Sequence, residues 1–404
     1  MTLEEIDSYL LTGGKEISSP FYSKFIHKAK VSLNAPMIHV GGSNGKGETC
    51  FYLTSLAMAA SKKVGTFFNF YFHHFNEAIW INGKPLNIDT AVAYFNELYP
   101  LAMKFEVTSF ELLTTIAYKA FNEANLDLAI VECGMGGTYD PTNIDGLEKL
   151  ATVITNVSLE HTEYLGTTPS EIAYSIAGII TDKIPVIAGP MDETSEEALK
   201  TVAAKKHTVI YRTERVHLPH LVNNEGFAFD YPPFKGIVVP GLANYHVANL
   251  CLALETFKHL NFPQLSEEQI NSSLKNAGIL EGRLEKSGDI FFDCASNPAS
   301  IEALCRCFPT IGKGKPIHVL FASFYRQNIS SMLPPLDDIS QSVTLTSFDE
   351  EGARNEDGYA LYVQDHTYFA SPLMALITLQ TTYPEEPIVI TGCPEFVRYM
   401  KGRV

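Results

Sequence analysis

From Ile38 to Thr49 the chain reads Ile-His-Val-Gly-Gly-Ser-Asn-Gly-Lys-Gly-Glu-Thr, an apolar stretch that turns into a glycine-rich run carrying one lysine. Residues 37–40 have the apolar character of a buried strand, and residues 50–60 that of an apolar helix. A strand, a glycine turn and a helix N-terminus together aim backbone N–H groups at an anion, and Lys46 adds a point charge for outer phosphates. The glycines let the backbone approach that anion closely and adopt positive φ. Ser43, Asn44, Gly45, Lys46, Gly47, Glu48 and Thr49 are therefore the candidate phosphate-binding residues. The run departs from a strict Walker A motif, because Val40 stands where the first glycine belongs and Gly47 where Ser or Thr follows the lysine. An incidental Gly-Lys-Gly loop is the alternative explanation.

Two further segments offer polar groups where apolar strands end. Val131-Glu132-Cys133-Gly134-Met135-Gly136-Gly137 places a carboxylate at a strand end ahead of glycines, and the segment 154–162 brings Glu160 and His161 to a second strand end. A carboxylate and an imidazole beside a phosphate loop suit Mg²⁺, which takes one or two protein ligands together with phosphate oxygens and water. Taken singly, Glu132 paired with a lysine and His161 as a satisfied turn histidine are the structural alternatives.

The elements that must position these residues alternate between strand and helix. Candidate strands cover 37–40, 128–132, 151–156, 186–188 and 208–211. Residues 110–125 carry a helical apolar stripe, and Thr168-Pro169-Ser170-Glu171 has the cap and early proline of a helix start. This alternation predicts a mainly parallel sheet with ligands at the carboxyl ends of its strands. After Tyr211 the chain reads as irregular and rich in proline and aromatics between Phe227 and Pro240. An apolar helix over 244–260 and a charged one over 266–276 follow, then a second series: strands at 290–293, 317–322, 343–347 and 388–392, with helices at 298–307 and 371–380. The domain boundary is placed near residue 280.

Composition bounds the reading. A chain of 404 residues suggests two domains, and 46% hydrophobic with 19% charged residues is globular. A net charge of −16 argues against nucleic acid or an anionic membrane as partner. Seven scattered cysteines make a disulfide framework improbable, and Cys305-Arg306-Cys307 reads as half-buried helix thiols. Met1-Thr2-Leu3-Glu4-Glu5 begins no secretory pattern and no apolar run approaches membrane length, so the expectation is a soluble cytoplasmic protein.

On these residues the chain resembles the Mur ligase superfamily, and within it the folylpolyglutamate synthase/dihydrofolate synthase family. The loop at 38–49 is similar, as are Glu77-Ala78-Ile79-Trp80-Ile81-Asn82-Gly83 and Phe110-Glu111-Leu112-Leu113-Thr114-Thr115-Ile116-Ala117. The family's spaced pattern after its central strand matches Asp127, Glu132, Gly134, Gly136, Gly137, Asp140, Thr142 and Asn143. Further matches are His161-Thr162, Leu165-Gly166, Glu171-Ile172-Ala173, Gly282-Arg283 with Glu285, and Asp293, Ala295, Asn297, Pro298 and Ser300. The resemblance implies an α/β, Mur-ligase-like fold: a P-loop-type ATP-binding central domain over 1–280 with a mostly parallel sheet, and a smaller Rossmann-like C-terminal ligase domain over 281–404. It implies an ATP-dependent amide ligase that phosphorylates a carboxylate and lets the amine of glutamate attack the acyl phosphate. Lys46 would hold phosphates, Glu132 and His161 would hold Mg²⁺, and Asn249, Arg283 and Asp293 would contact the nucleotide. For Arg283 a domain-bridging salt bridge, and for Asn249 a helix-packing hydrogen bond, are the alternatives. Asp140 falls at the pterin position, and Asn143, Ser296 and Asn297 at the substrate. The implied cofactors are ATP and Mg²⁺, and the implied partners are small molecules, a pteroate- or folate-like acceptor and glutamate, acting on a monomer.

Several positions depart from that pattern. Asn69-Phe70-Tyr71-Phe72 replaces a Ser-Pro-His-Leu whose serine is a metal ligand, leaving Asn69 as a candidate oxygen donor. Ile176 replaces the lysine whose carbamate supports a second metal, Ser296 replaces a histidine, Thr138 an arginine, and Arg326-Gln327-Asn328 an acidic stretch. Glu48 replaces a serine; its charge suits a helix N-terminus yet repels phosphate, and if it points away Thr49 supplies the lost hydroxyl. Six aromatics in 67–76 either stack a flat ring or form core. Three readings follow: a folate-type ligase, an amide ligase of the superfamily with a non-folate acceptor, and a catalytically impaired nucleotide-binding paralogue.

Overall fold

The computed structural model describes residues 1–12, 18–214, 216 and 219–404. Eight strands form the first sheet: β1 (Met37–Gly41), β2 (Val64–Phe67), β3 (Ile79–Ile81), β4 (Lys84–Pro85), β5 (Leu128–Glu132), β6 (Lys149–Ile154), β7 (Val186–Ala188) and β8 (Ile210–Arg212). Their order is β4-β3-β2-β5-β1-β6-β7-β8, parallel except for β3 and β4, which fold back as an antiparallel edge. β1 sits between β5 and β6: the chain leaves it for β2 on one side, returns to β5 beside it, and crosses to β6, β7 and β8 on the other. It therefore lies at a topological switch point, where open α/β sheets bind ligands. In register, Val40 pairs with Glu132 of β5 and with Val153 of β6, so the loop after β1 and the carboxylate ending β5 emerge side by side.

Every residue of β1 and β5 is buried, as expected of central parallel strands covered on both faces. One apolar cluster joins Phe95, Leu112, Ile116, Tyr118 and Val131, and a second joins Cys133, Ile154, Ile172, Ile176, Ile179 and Leu199. The helix Ser109–Ala124 is started by a capping box between Thr108 and Glu111. Glu111 also accepts from the Ser19 amide at 2.8 Å and from the Ser18 hydroxyl, so one buried carboxylate starts a helix and anchors the N-terminal segment. A second capping box, Thr168 with Glu171, starts Pro169–Ile176.

The proline- and aromatic-rich stretch read as irregular is instead a three-stranded sheet, β9 (His220–Val222), β10 (Gly226–Tyr231) and β11 (Phe234–Pro240), ordered β11-β10-β9. Pro232 and Pro233 occupy the turn between β10 and β11, so neither removes a donor from a strand interior, and Ile237 and Val239 alternate inward. The last sheet holds β12 (Arg283–Ser287), β13 (Ile290–Asp293), β14 (His318–Phe321), β15 (Ser342–Thr346), β16 (Thr367–Phe369) and β17 (Ile388–Thr391), ordered β12-β13-β17-β14-β15-β16. Only the β12–β13 hairpin is antiparallel there.

The chain divides into two compact units. One comprises Met1–Pro219, Phe229–Val238 and Ala248–Ala277; the other comprises His220–Ala228, Val239–Val247 and Gly278–Val404. All seven cysteines are free and buried; Cys305 and Cys307 are 7% and 0% exposed, more enclosed than the half-buried thiols expected. Among the described residues no helix is long and apolar enough to cross a membrane.

Candidate functional site

Two glycines shape the loop after β1. At Gly42 φ is +128°, and a Cβ there would meet the Thr155 hydroxyl oxygen at 2.1 Å. Gly45, at φ +85°, is the residue from which the helix Lys46–Ala59 starts. The strand end beside the loop braces it: Ser43 donates its amide to the Asn156 carbonyl at 2.9 Å, and the Asn44 amide donates to Asn156 Oδ1 at 3.1 Å. Asn156 Nδ2 returns a bond to the Asn44 carbonyl at 2.8 Å, and Asn44 Nδ2 reaches the Ser158 hydroxyl at 3.1 Å. Asn156 and Ser158 were not singled out from the sequence. Their signal was present: polar residues directly after a buried strand, next to the strand that launches the loop.

Lys46 folds back over this loop, its Nζ donating to the carbonyls of Gly42 at 2.7 Å and Ser43 at 3.0 Å. The Thr49 hydroxyl donates to the Gly45 carbonyl at 2.9 Å. Glu48, named with the phosphate contacts, turns its carboxylate away from that role: Oε1 accepts from Tyr52 at 3.1 Å and Oε2 from Asn249 Nδ2 at 2.5 Å. A carboxylate held in the first helical turn gains from the helix dipole, while amide and phenol donors occupy its oxygens.

Glu132 reaches the same place from β5. A Cβ on Gly47 would lie 3.2 Å from Glu132 Oε2, and that oxygen accepts the Asn69 amide at 3.0 Å. Asn69 Nδ2 donates to the Gly134 carbonyl at 3.3 Å. The structure thus gathers the loop 42–49, Glu132, Asn69 and Asn249 at one end of the sheet. His161 starts the short helix Thr162–Leu165 in a left-handed conformation (φ 45°) with its side chain exposed. Among the described residues no three His, Cys, Asp or Glu side chains converge as a metal group. Mg²⁺ does not need three: a hard carboxylate oxygen beside a phosphate loop matches its demand for one or two protein oxygens. Ile176, at the position of the family's lysine, is 1% exposed within the apolar cluster, with its Cγ2 3.7 Å from where a Cβ on Gly41 would sit.

The loop between β5 and β6 is built on a buried polar network. Asp140 accepts the amides of Met135 and Thr142, each at 2.9 Å, and the Thr142 hydroxyl. Burial raises its pKa, and those hydrogen bonds oppose the rise. Asn143 Nδ2 donates to the carbonyls of Gly137 at 3.1 Å and Gly178 at 3.0 Å, while its Oδ1 accepts from Lys149 Nζ at 2.9 Å. His39, fully buried on β1, meets Thr142 Oγ1 at 2.8 Å and Cys133 Sγ at 3.3 Å; burial, then Lys149, hold its pKa well below the usual imidazole value. Asp140 and Asn143 therefore have defined local tasks in shaping this loop.

Among the six aromatics, Phe67, Phe68, Tyr71 and Phe75 are core, while Phe70 and Phe72 are half-buried and meet edge-to-face at 5.1 Å. Phe110 stacks on Phe67 with centroids 5.7 Å apart and lies over Gly134, where a Cβ would fall 2.6 Å from its ring.

In the other unit, Asp293 accepts from the Tyr245 hydroxyl at 2.5 Å and from the amides of Leu284 and Ala295 at 3.1 and 2.9 Å. Burial raises its pKa, against the pull of Tyr245 and Arg283. Asn297 caps the helix Pro298–Cys305 through the Ser300 amide at 3.0 Å, and the Ser296 amide donates to Ser300 Oγ at 2.9 Å. Gln327, in the stretch that departs from the family's acidic pattern, bridges the carbonyls of Ser296 at 2.6 Å and Gly392 at 2.8 Å. Its neighbour Arg326 pairs with Glu395 at 3.2 Å.

No family model matches the chain. It is 30% identical over 335 residues to the dihydrofolate synthase/folylpolyglutamate synthase of Bacillus subtilis, a span covering 77% of this chain and 76% of that relative. The chain belongs to the dihydrofolate synthase/folylpolyglutamate synthase family. Solved structures share its fold across nearly the whole length. A Mycobacterium tuberculosis folylpolyglutamate synthase complexed with ADP gives a TM-score of 0.89 at 23% identity, covering 99% of this chain and 97% of that one. An FPGS complex with AMPPCP and folate gives 0.85 at 25% identity, covering 99% of each chain. The Mur-ligase-like α/β architecture expected of this family is the one found.

Proposed function

We propose that this chain is an ATP-dependent, ADP-forming ligase that joins glutamate to the carboxylate of a pteroate or folate acceptor. The observation that carries the reading is the convergence of Glu132 on Gly47 of the glycine loop, at the strand ends, in a member of the folylpolyglutamate/dihydrofolate synthase family. The ADP and the AMPPCP–folate complexes of its structural neighbours support the same reading.

In this scheme the amides at the start of Lys46–Ala59 receive the β- and γ-phosphates, and Lys46 Nζ exchanges the Gly42 and Ser43 carbonyls for phosphate oxygens. A carboxylate oxygen of the acceptor attacks the γ-phosphorus, and the bond to the β-bridging oxygen breaks to release ADP. The neutral amine of glutamate then attacks the acyl carbon. Phosphate leaves and the nitrogen loses a proton as the amide forms. Glu132, with Asn69 and His161, would hold Mg²⁺, which supplies charge neutralisation at the transferring phosphoryl group. Asp140 and Asn143 act by fixing the loop after β5 beside Phe110. The same chemistry with ATP and small acceptors fits a cytoplasmic enzyme.

Asn69-Phe70-Tyr71-Phe72 and the buried Ile176 favour a second reading, the same ligation on a non-folate acceptor. An ADP-release assay with Mg²⁺, ATP and glutamate decides between them. Stimulation by dihydropteroate or tetrahydrofolate over a no-acceptor control supports the folate reading; stimulation by neither refutes it.

A further inference from the structure

Glu48 has a buried carboxylate that the phosphoryl chemistry does not use, and its surroundings give it a different task. It is the third residue of the helix Lys46–Ala59 and is 1% exposed. A carboxylate only accepts hydrogen bonds, so at 2.5 Å from Glu48 Oε2 the Asn249 side chain must present its NH₂ there. Tyr52 donates to the other oxygen at 3.1 Å, fixing the carboxylate in turn. With its amide so oriented, Asn249 packs its Oδ1 directly on Gly45: a Cβ added to Gly45 would lie 2.3 Å from that oxygen. Gly45 is the left-handed residue, φ +85°, whose carbonyl takes both the amide and the hydroxyl of Thr49 at 2.9 Å and so opens the helix. Glu48, Asn249 and Gly45 therefore close a latch around the turn that aims the first helical N–H groups.

We propose that Glu48 is a positioning residue for nucleotide binding: through the oriented amide of Asn249 it holds Gly45 in the backbone conformation that points the helix amides at the phosphates. This rests on the ATP-dependent ligase reading. It also explains how a carboxylate is accommodated in a phosphate loop, since its charge is turned toward amide and phenol donors and away from the ligand.

The test is the Kd of the full-length protein for ATP by calorimetry, with thermal unfolding followed in parallel. Glu48→Ala should weaken binding roughly tenfold, on the order of one lost hydrogen bond to a charged group. Asn249→Ala should do the same, and the double variant should be no weaker than either single one, because both changes open one latch. Glu48→Gln, whose amide oxygen still accepts from Asn249, should stay within about twofold of wild type. Effects that multiply in the double variant, an unmoved Kd in Glu48→Ala, or a Glu48→Gln as weak as Glu48→Ala overturn the proposal; a role in packing alone lowers the melting temperature without moving Kd. A wild-type protein that binds no ATP overturns the ligase reading and this proposal together, whereas normal wild-type binding with an unmoved Kd in Glu48→Ala overturns the proposal alone.

Discussion

Lys149 opens β6 with 5% of its surface exposed, and its ammonium is held by neutral partners, Asn143 Oδ1 at 2.9 Å and the Ile179 carbonyl at 2.7 Å. Burial pushes its pKa from the ordinary 10.5 down to about 8. Below pH 8 the lysine is protonated in both the folded and unfolded chains, and the folded state carries the whole cost of a buried charge. At about 1.4 kcal/mol for each pH unit, the gap between 10.5 and about 8 amounts to roughly 3 kcal/mol. Between those two values the unfolded chain binds the proton more tightly than the folded one, so stability contributed by this site rises with pH. From about pH 7 to about pH 10 the relief is expected to be about 2–3 kcal/mol. The assay is urea unfolding followed by fluorescence of Trp80, the single tryptophan of the chain, which lies in the same unit. Lys149→Met serves as the reference: it loses two hydrogen bonds at every pH but cannot titrate, so the wild-type minus variant difference isolates the lysine. That difference should move in favour of the wild type by the stated amount. A flat difference, or one that moves against the wild type, refutes the argument that this ammonium is buried without a counter-charge.

Gly42→Ala puts a methyl group 2.1 Å from Thr155 Oγ1 at a residue with φ +128°; ATP affinity by calorimetry should fall at least about tenfold, while retained affinity would mean the loop is not the phosphate site. Ile176→Lys, which restores the family residue, places an ammonium in the apolar cluster around Ile154, Ile172 and Ile179 and should cost about 3 kcal/mol or more in urea unfolding. Thr168→Ala removes the Thr168–Glu171 capping box and should cost about 1 kcal/mol by the same measurement, with ATP affinity unchanged.

The nucleotide end of the fold was legible from residue patterns because its signals are local. An apolar run with β-branched residues, a glycine turn and a lysine identify β1 and its loop, and β5 and β7 were placed at the limits they have in the structure. The strand β2 was missed because Val64–Phe67 is four residues of buried, non-alternating sequence directly after a helix. The sheet β9–β11 was hidden by Pro232 and Pro233, which a turn accommodates and a strand interior does not. Side-chain direction was not legible at all. Nothing in the order of residues says that Glu48 faces Asn249, some 200 positions away, or that Asp140 closes its own loop, because such choices are settled by which donors the packed fold brings near. The aromatics of 67–76 split between core and half-buried positions for the same reason: type alone does not distinguish Phe67 from Phe70.

The central claim is that the loop 42–49 and Glu132 couple ATP cleavage to glutamate addition. The direct measurement counts, in one reaction with Mg²⁺, ATP, glutamate and dihydropteroate or tetrahydrofolate, the ADP formed and the glutamate-extended pteridine detected by mass spectrometry. It compares wild type with Lys46→Ala and Glu132→Gln. The account predicts one ADP for each glutamate added by the wild type, and a fall in both products of at least about 100-fold in each variant, assayed well below the melting temperature measured for that variant. Extended product from Lys46→Ala at the wild-type rate, or ADP from the wild type with no extended pteridine, would contradict it.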